Sequence, residues 1–301
     1  MGGVHPLTGK EFVHYEWASG GNGAFAEDDG PSAMASIDWG DLNTVQSTEV
    51  LETRFPLRLE WSALATDSGG DGRQRGGLSM QRGMRLLAPT ATYSVLADGA
   101  ILPAFGILGG GSGIPVGSHV IRDGRDVRFP TPGKVGGFHL VKDDVLVLQS
   151  AGGGGYGDPL ERAVERVLSD RREGYVSADC CRERYGVVVT SGGEVDVAAT
   201  GELRRRLAAR RLRLAVVATE GDLYLRGAVS MRRICRLSPA DAAGQGFTDG
   251  AIVELVGPGG APLRAWVVID HAVQAGTVPL DAIGRRVLGV DAGAPLHVRP
   301  L

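Results

Sequence analysis

The run Val145-Leu-Val-Leu-Gln-Ser-Ala-Gly-Gly-Gly-Gly-Tyr-Gly-Asp-Pro159 decides how this chain folds. An apolar stretch of strand length runs into four glycines, a fifth follows at Gly157, and Pro159 suits the first turn of a helix. Downstream, Leu160, Val164, Val167 and Leu168 fall on one helical stripe within 158–170. Gly152, Gly154 and Gly157 satisfy the G-x-G-x-x-G spacing of a dinucleotide site, after a strand and before a helix. Two helices, however, separate them from the next predicted strand (185–190), because Ser177 caps a second one through Arg184. Thr190 and Ser191 stand where an acid should hold a ribose. A glycine-rich turn into a helix is the better reading.

Outward from this run the pattern repeats. The chain holds 47 glycines in 301 residues, about twice the ordinary usage of roughly 7%. They cluster at 20–23, 69–77, 106–117, 133–137 and 152–157, between short apolar runs at 57–61, 92–96, 101–105, 127–129 and 145–149. Glycine accepts positive φ and close backbone approach, so the clusters predict tight turns and close backbone approaches between strands, with no collagen-like period of three. The fold class expected is α+β and β-rich: a turn-laden mixed β body.

Beyond a boundary at 191–193, an arginine-rich helix over 203–214 reads as a solvated connector. A second compact unit follows, with strands at 222–229, 232–237, 251–256 and 263–269, and helices at 239–245 and 281–288. No repeat of 20–50 residues is visible in it.

Composition narrows the function. Lys+Arg 32 against Asp+Glu 35 gives a net charge of −3, which argues against binding nucleic acid or anionic membranes through charge alone. No apolar run reaches the ~20 residues of a membrane span, and the opening MGGVHPLTGK has no signal-peptide core. A cytoplasmic location is the expectation. Three cysteines, two of them adjacent at Cys180 and Cys181, draw neither a disulfide framework nor a zinc spacing.

Three local patterns carry chemistry. Residues 12–17 alternate, with Val13, Tyr15 and Trp17 on one face and His14 and Glu16 on the other. Asp38, Asp41 and Asn43 are spaced as turn formers or hard-cation ligands. Thr66-Asp-Ser-Gly-Gly70 has the shape of a protease nucleophile turn, but no histidine stands in the matching context. Its backbone N–H groups, with Arg73 or Arg75, suit an anion instead. No self-sufficient metal centre can be drawn.

Further motifs come in a definite order: Gly20-Gly-Asn-Gly-Ala24, Asp29-Gly-Pro-Ser-Ala33, Asn43, Glu49-Val-Leu-Glu52, Arg54-Phe-Pro-Leu57, Asp67-Ser-Gly-Gly-Asp-Gly72 and Arg75-Gly-Gly-Leu78. Gly133-Lys134, Gly152 to Pro159, Glu173-Gly-Tyr-Val176 and Tyr185-Gly-Val187 complete the series. This series resembles the carboxy-terminal half of hydantoinase B/oxoprolinase proteins, the B-type chains of N-methylhydantoinase, 5-oxoprolinase and the acetone and acetophenone carboxylases. The resemblance implies an ATP-dependent complex. An A-type partner phosphorylates a cyclic amide or ketone substrate, and the B-type chain acts later beside a divalent metal. The metal-binding half of the B chain has no counterpart in the series, so no cofactor is expected on this chain alone. ATP and metal are expected on partner chains: an A-type ATP-binding subunit and a chain supplying the metal half. Segment 12–17 would then pair with structure from that partner.

The candidate catalytic residues are His14, Glu16, Asp41 and Asn43, and the candidate substrate contacts are Asp67, Ser68 and Arg75. A non-catalytic assembly subunit is the alternative; a nucleotide-dependent oxidoreductase is a third. The last hundred residues, through Arg236-Leu-Ser-Pro239, Gly276-Thr-Val-Pro-Leu-Asp281 and Gly289-Val-Asp-Ala-Gly293, resemble a double-psi β-barrel. The division expected is 1–192 for the hydantoinase B-like region, 193–224 for the linker helix and 225–301 for the barrel.

Overall fold

A computed structural model describes residues 1–16, 19–34, 46–221, 223–227 and 231–301. The first unit packs two sheets. Strands β1 (Gly2–Val4), β2 (Glu11–Val13), β5 (Thr90–Leu96) and β8 (Lys134–Val141) form one, ordered β2-β1-β5-β8. The other is ordered β3-β4-β9-β6-β7, from β3 (Leu57–Leu64), β4 (Met80–Leu86), β6 (Gly117–Arg122), β7 (Arg125–Arg128) and β9 (Val145–Gln149). Alternation in β5 buries Ala91 and Tyr93 and exposes Thr90, Thr92 and Ser94, which leaves one face for the core. Phe12, Leu57, Met84, Leu86, Val120, Leu140 and Leu146 fill that core. Helix α1 (Thr48–Arg54), capped by the Ser47 side chain, adds the fully buried Leu51.

The expectation of a mixed body is corrected: every strand pairing in both sheets is antiparallel. The 101–105 run is not a strand, and 185–190 makes only the single bridge Val189–Val195. β4 and β8 lacked a sequence signal for physical reasons: Arg82 interrupts the apolar pattern of one, and Gly136-Gly137 interrupts the other.

The glycine clusters include left-handed turn positions at Gly109, Gly133, Gly137 and Gly157, and elsewhere they bring backbones into close contact. The run 152–155 is extended and lies between segments 22–24, 68–71 and 104–114, hydrogen-bonded through Gly153 N to Gly77 O at 3.0 Å, Gly70 N to Gly153 O at 2.8 Å and Gly155 N to Gly111 O at 2.9 Å. A Cβ on Gly152 would sit 1.7 Å from Ser68 O, on Gly153 1.8 Å from Asn22 O, on Gly154 1.9 Å from Phe105 O, and on Gly155 2.1 Å from Asp71 O. Gly152 and Gly155 thus face the same segment. That is a period of three in space, as in a polyproline II-type helix, with only hydrogen fitting on each side.

After a one-turn 3-10 helix at Pro159–Glu161, α2 (Val164–Arg172) and α3 (Ala178–Glu183, capped by Ser177 as expected) enclose a small core of Val167, Val176, Cys181, Tyr185 and Val187. Helix α4 spans Val197–Ala209, earlier than expected, and the supposed linker then becomes β10 (Leu212–Ala218), a strand of the second unit. The second unit therefore starts at Leu212, not at 225. Leu214 and Val216 are its inward residues.

That unit is one seven-stranded sheet, ordered β11-β12-β14-β13-β16-β10-β15, with β15 packed beside β12 so that the sheet curls on itself. Its strands are β11 (Tyr224–Arg226), β12 (Met231–Leu237), β13 (Ile252–Val256), β14 (Leu263–Ile269), β15 (Thr277–Leu280) and β16 (Pro295–Pro300). A repeat invisible in the sequence appears in its pairings. β12 runs parallel to β14 as β15 does to β10, and β13 is antiparallel to β14 as β16 is to β10. In each half a strand leads to a capping side chain, Ser238 or Asp281, then a short helix, α5 (Pro239–Gln245) or α6 (Ala282–Leu288). A left-handed glycine, Gly246 or Gly289, ends each helix.

The two units are joined through a buried carboxylate. Glu254 is 1% exposed and accepts from Ser112 Oγ at 2.7 Å, Arg264 Nε at 3.1 Å and Arg299 Nη2 at 2.8 Å. The same arginines donate to Pro103, Gly109 and Gly110 carbonyls, so the second unit grips the glycine segment 103–113.

Candidate functional site

Beyond β2 the chain keeps its alternation, but the polar side is the inner one. His14 is 5% exposed, while Val13 and Tyr15 are each 73% exposed. Glu16 bridges two groups: one oxygen accepts from the buried Arg82 guanidinium, and the other lies 3.0 Å from His14 Nε2. With Nε2 bonded to a carboxylate, Nδ1 is the nitrogen left for other work. The Phe55 ring, 5.0 Å away, packs against the imidazole. His14 and Glu16 line a cleft of about 570 Å³ with Tyr93, Lys134, Leu146 and Leu148. This is an oriented base beside an apolar hollow, the arrangement of a general acid–base pair. Sequence reasoning missed Arg82, although an arginine in an otherwise core-facing strand is a usable signal.

The expected substrate contacts do not join it. Ser68 is fully buried; its Oγ donates to Ala65 O at 2.5 Å and accepts from Ser79 N at 2.9 Å. Asp67 takes φ +61 and accepts from Ser177 N at 2.7 Å. Arg75, 5% exposed, donates to Gly76 O and Asp170, and its guanidinium lies over the Tyr175 ring. All three hold backbone in place. Asp41 and Asn43, with Asp38 and Trp17, lie outside the described residues. Among the described residues no three His, Cys, Asp or Glu side chains gather as metal ligands. Burial pushes the thiols of Cys180 and Cys181 up, and that of Cys235 up to about 12, which disfavours their thiolate forms.

Residues 1–159, which carry both sheets, the His14–Glu16 pair and the glycine run, match the family model for hydantoinase B/oxoprolinase. This chain belongs to the hydantoinase B/oxoprolinase family. It is 34% identical over 163 residues to caprolactamase subunit beta of Pseudomonas jessenii, covering 50% of this chain and 26% of that one. It is 28% identical over 243 residues to the acetone carboxylase alpha subunit of Xanthobacter autotrophicus, covering 68% and 31%. Among solved structures, the ATP-dependent caprolactamase from Pseudomonas jessenii matches with TM-score 0.52 and 31% identity, covering 62% of this chain and 33% of that one. The chain spans about a third of the length of these curated relatives. No helix among its described residues is long and apolar enough to cross a membrane.

A second, larger cleft of about 870 Å³ lies between the two units of this family member, lined in part by Asp71, Arg184, Arg211, His297 and Arg299. Burial, then the charges of Arg211, Arg299 and Arg213, push His297 down to about 4 from its ordinary 6.5, with Asp158 opposing them. The unfolded chain therefore binds a proton at His297 that the folded chain refuses. Stability from this source is complete above 6.5 and is lost as the pH falls from 6.5 to about 4. Thermal unfolding followed across that window should show a steeper acid loss in the wild type than in His297→Gln; equal slopes would contradict it.

Proposed function

We propose that this chain is the carboxy-terminal part of a B-type subunit in an ATP-dependent hydantoinase/5-oxoprolinase-type cyclic amidohydrolase or related ketone carboxylase complex. The observation that carries this reading is the His14–Glu16–Arg82 cluster, placed inside the family-matched region and open to a cleft. His14 Nδ1 would take or return a proton on the activated substrate, with Glu16 fixing the ring and Arg82 holding the Glu16 carboxylate in place. A divalent metal does not fit this cluster: both Glu16 oxygens are committed, one of them to a guanidinium. ATP and metal are accordingly assigned to an A-type subunit and to a chain supplying the metal-binding half. What supports a partner here is the outer face of the first sheet. Val4, Val13 and Leu96 lie on it at 53%, 73% and 81% exposed, beside the edge strand β2, and an apolar edge needs covering. The second unit is read as a double-psi-type barrel, on the strength of its paired strand–helix halves, and the location as cytoplasmic.

A second reading, an assembly subunit without catalytic groups, is favoured by the structural roles of Ser68 and Arg75. Co-expression with both partner chains decides between the readings. Substrate-driven ATP hydrolysis with hydantoin, oxoproline or a ketone is expected, with His14→Ala lowering kcat by about 100-fold or more. Undiminished turnover in that variant would leave only the assembly role.

A further inference from the structure

The His14 cleft holds a second polar group that the mechanism above does not use. Tyr93, on the inner side of β5, lines the cleft together with Leu146 and Leu148 of the other sheet. Its side chain is 4% exposed, and its ring lies 5.8 Å from that of Phe129. The Tyr93 hydroxyl is buried and has no hydrogen-bond partner among the described residues. Ser118, which stands opposite Leu148 in the β6–β9 register, approaches that hydroxyl without reaching hydrogen-bond geometry. A buried tyrosine hydroxyl ordinarily finds a partner. One left unsatisfied is a standing cost that phenylalanine, with the same ring, would avoid.

What this hydroxyl lacks is an acceptor. Burial raises the Tyr93 pKa, so the group stays an O–H donor at neutral pH. Both oxygens of Glu16, the carboxylate in the cleft, are committed to Arg82 and His14. The charge of Arg82 is thereby matched, and Lys134 stands exposed at the mouth. The inner part of the cleft therefore offers a hydrogen-bond donor among apolar walls, which suits a neutral oxygen on an apolar body. We propose that Tyr93 donates to the carbonyl oxygen of an amide or ketone substrate and so fixes its orientation toward His14. Leu146 and Leu148 would cover the apolar remainder of that substrate. The inference rests on the reading of this cleft as the substrate site and adds the residue that selects a carbonyl compound there.

The test follows binding and stability, so it is separate from turnover by the assembled complex, whose absence would count against the catalytic reading alone. The whole chain, labelled with ¹⁵N-histidine, is titrated separately with hydantoin, 5-oxoproline and acetone while the His14 ring nitrogens are followed by NMR. A saturable shift at His14, with His5 and His271 unmoved, is expected for at least one of the three. Tyr93→Phe should bind that compound about tenfold more weakly. The same variant should melt no lower than wild type, because the hydroxyl it removes bonds no described group of the chain. A hydroxyl with a structural role would instead lower the melting temperature when removed. No saturable shift with any of the three compounds, equal affinity in Y93F, or a lower-melting Y93F overturns the proposal.

Discussion

Gly153→Ala is expected to leave little folded protein. The added methyl would lie 1.8 Å from Asn22 O and 2.3 Å from its carbonyl carbon. Both are backbone atoms of a neighbouring extended segment, so no rotamer change can relieve the clash. Ordinary overpacking costs about 1–3 kcal/mol, and here the layers must part, breaking the Gly77 and Gly70 hydrogen bonds on either side. The loss should reach or exceed the top of that range. Gly117→Ala is the control, since its methyl would meet nothing within 4 Å. Thermal unfolding should show the control near wild type and Gly153→Ala unfolded or melting far lower. Equal melting of the two would refute the close-packed glycine layer.

Arg162→Met is the second large effect. The Arg162 side chain is 1% exposed and its guanidinium spans Asp29, with both contacts at 2.7 Å, and Asp170, also at 2.7 Å. Arg75 shares Asp170, and Arg75 N donates to Asp29 Oδ1 at 2.6 Å. The network ties three sequence-distant segments together behind the glycine layer. Burial works against ionisation of Asp29, yet Arg162 holds its carboxyl below the ordinary value. Removing the cation strands two half-buried or buried acids, which costs about 3–5 kcal/mol. The exposed Arg205–Glu202 pair gives the contrast, and Arg205→Ala should change stability by about 0.5 kcal/mol or less. Urea unfolding midpoints that coincide for the two variants would contradict a structural role for Arg162.

Much of this architecture was legible where periodicity was clean. β9, β14 and α5 fall where the apolar run at 145–149, the strand at 263–269 and the helix at 239–245 were expected. The glycine clusters were legible as close backbone approaches but not as layers. Their period of three belongs to contacts among distant segments, and no single stretch of sequence records it. The repeat in the second unit was hidden for a similar reason, because strand pairing and helix caps carry it and residue identity does not. At the site, alternation joined His14 to Glu16 correctly but did not say which side faces the interior. Arg82, on a strand that sequence did not find, makes the charged face the buried one. Asp67, Ser68 and Arg75 were read as ligand contacts because glycine-rich polar turns suit anions. The fold spends those same hydrogen-bonding groups on its own backbone.

Reconstitution of the complex reaches the central claim most directly, with metal content and substrate-driven ATP hydrolysis measured on the purified chain and on its assembly with an A-type subunit and the metal-bearing chain. The account predicts a silent, metal-poor chain alone and an active, metal-loaded assembly. A purified chain that held one catalytic ion per molecule and turned over substrate without partners would contradict it.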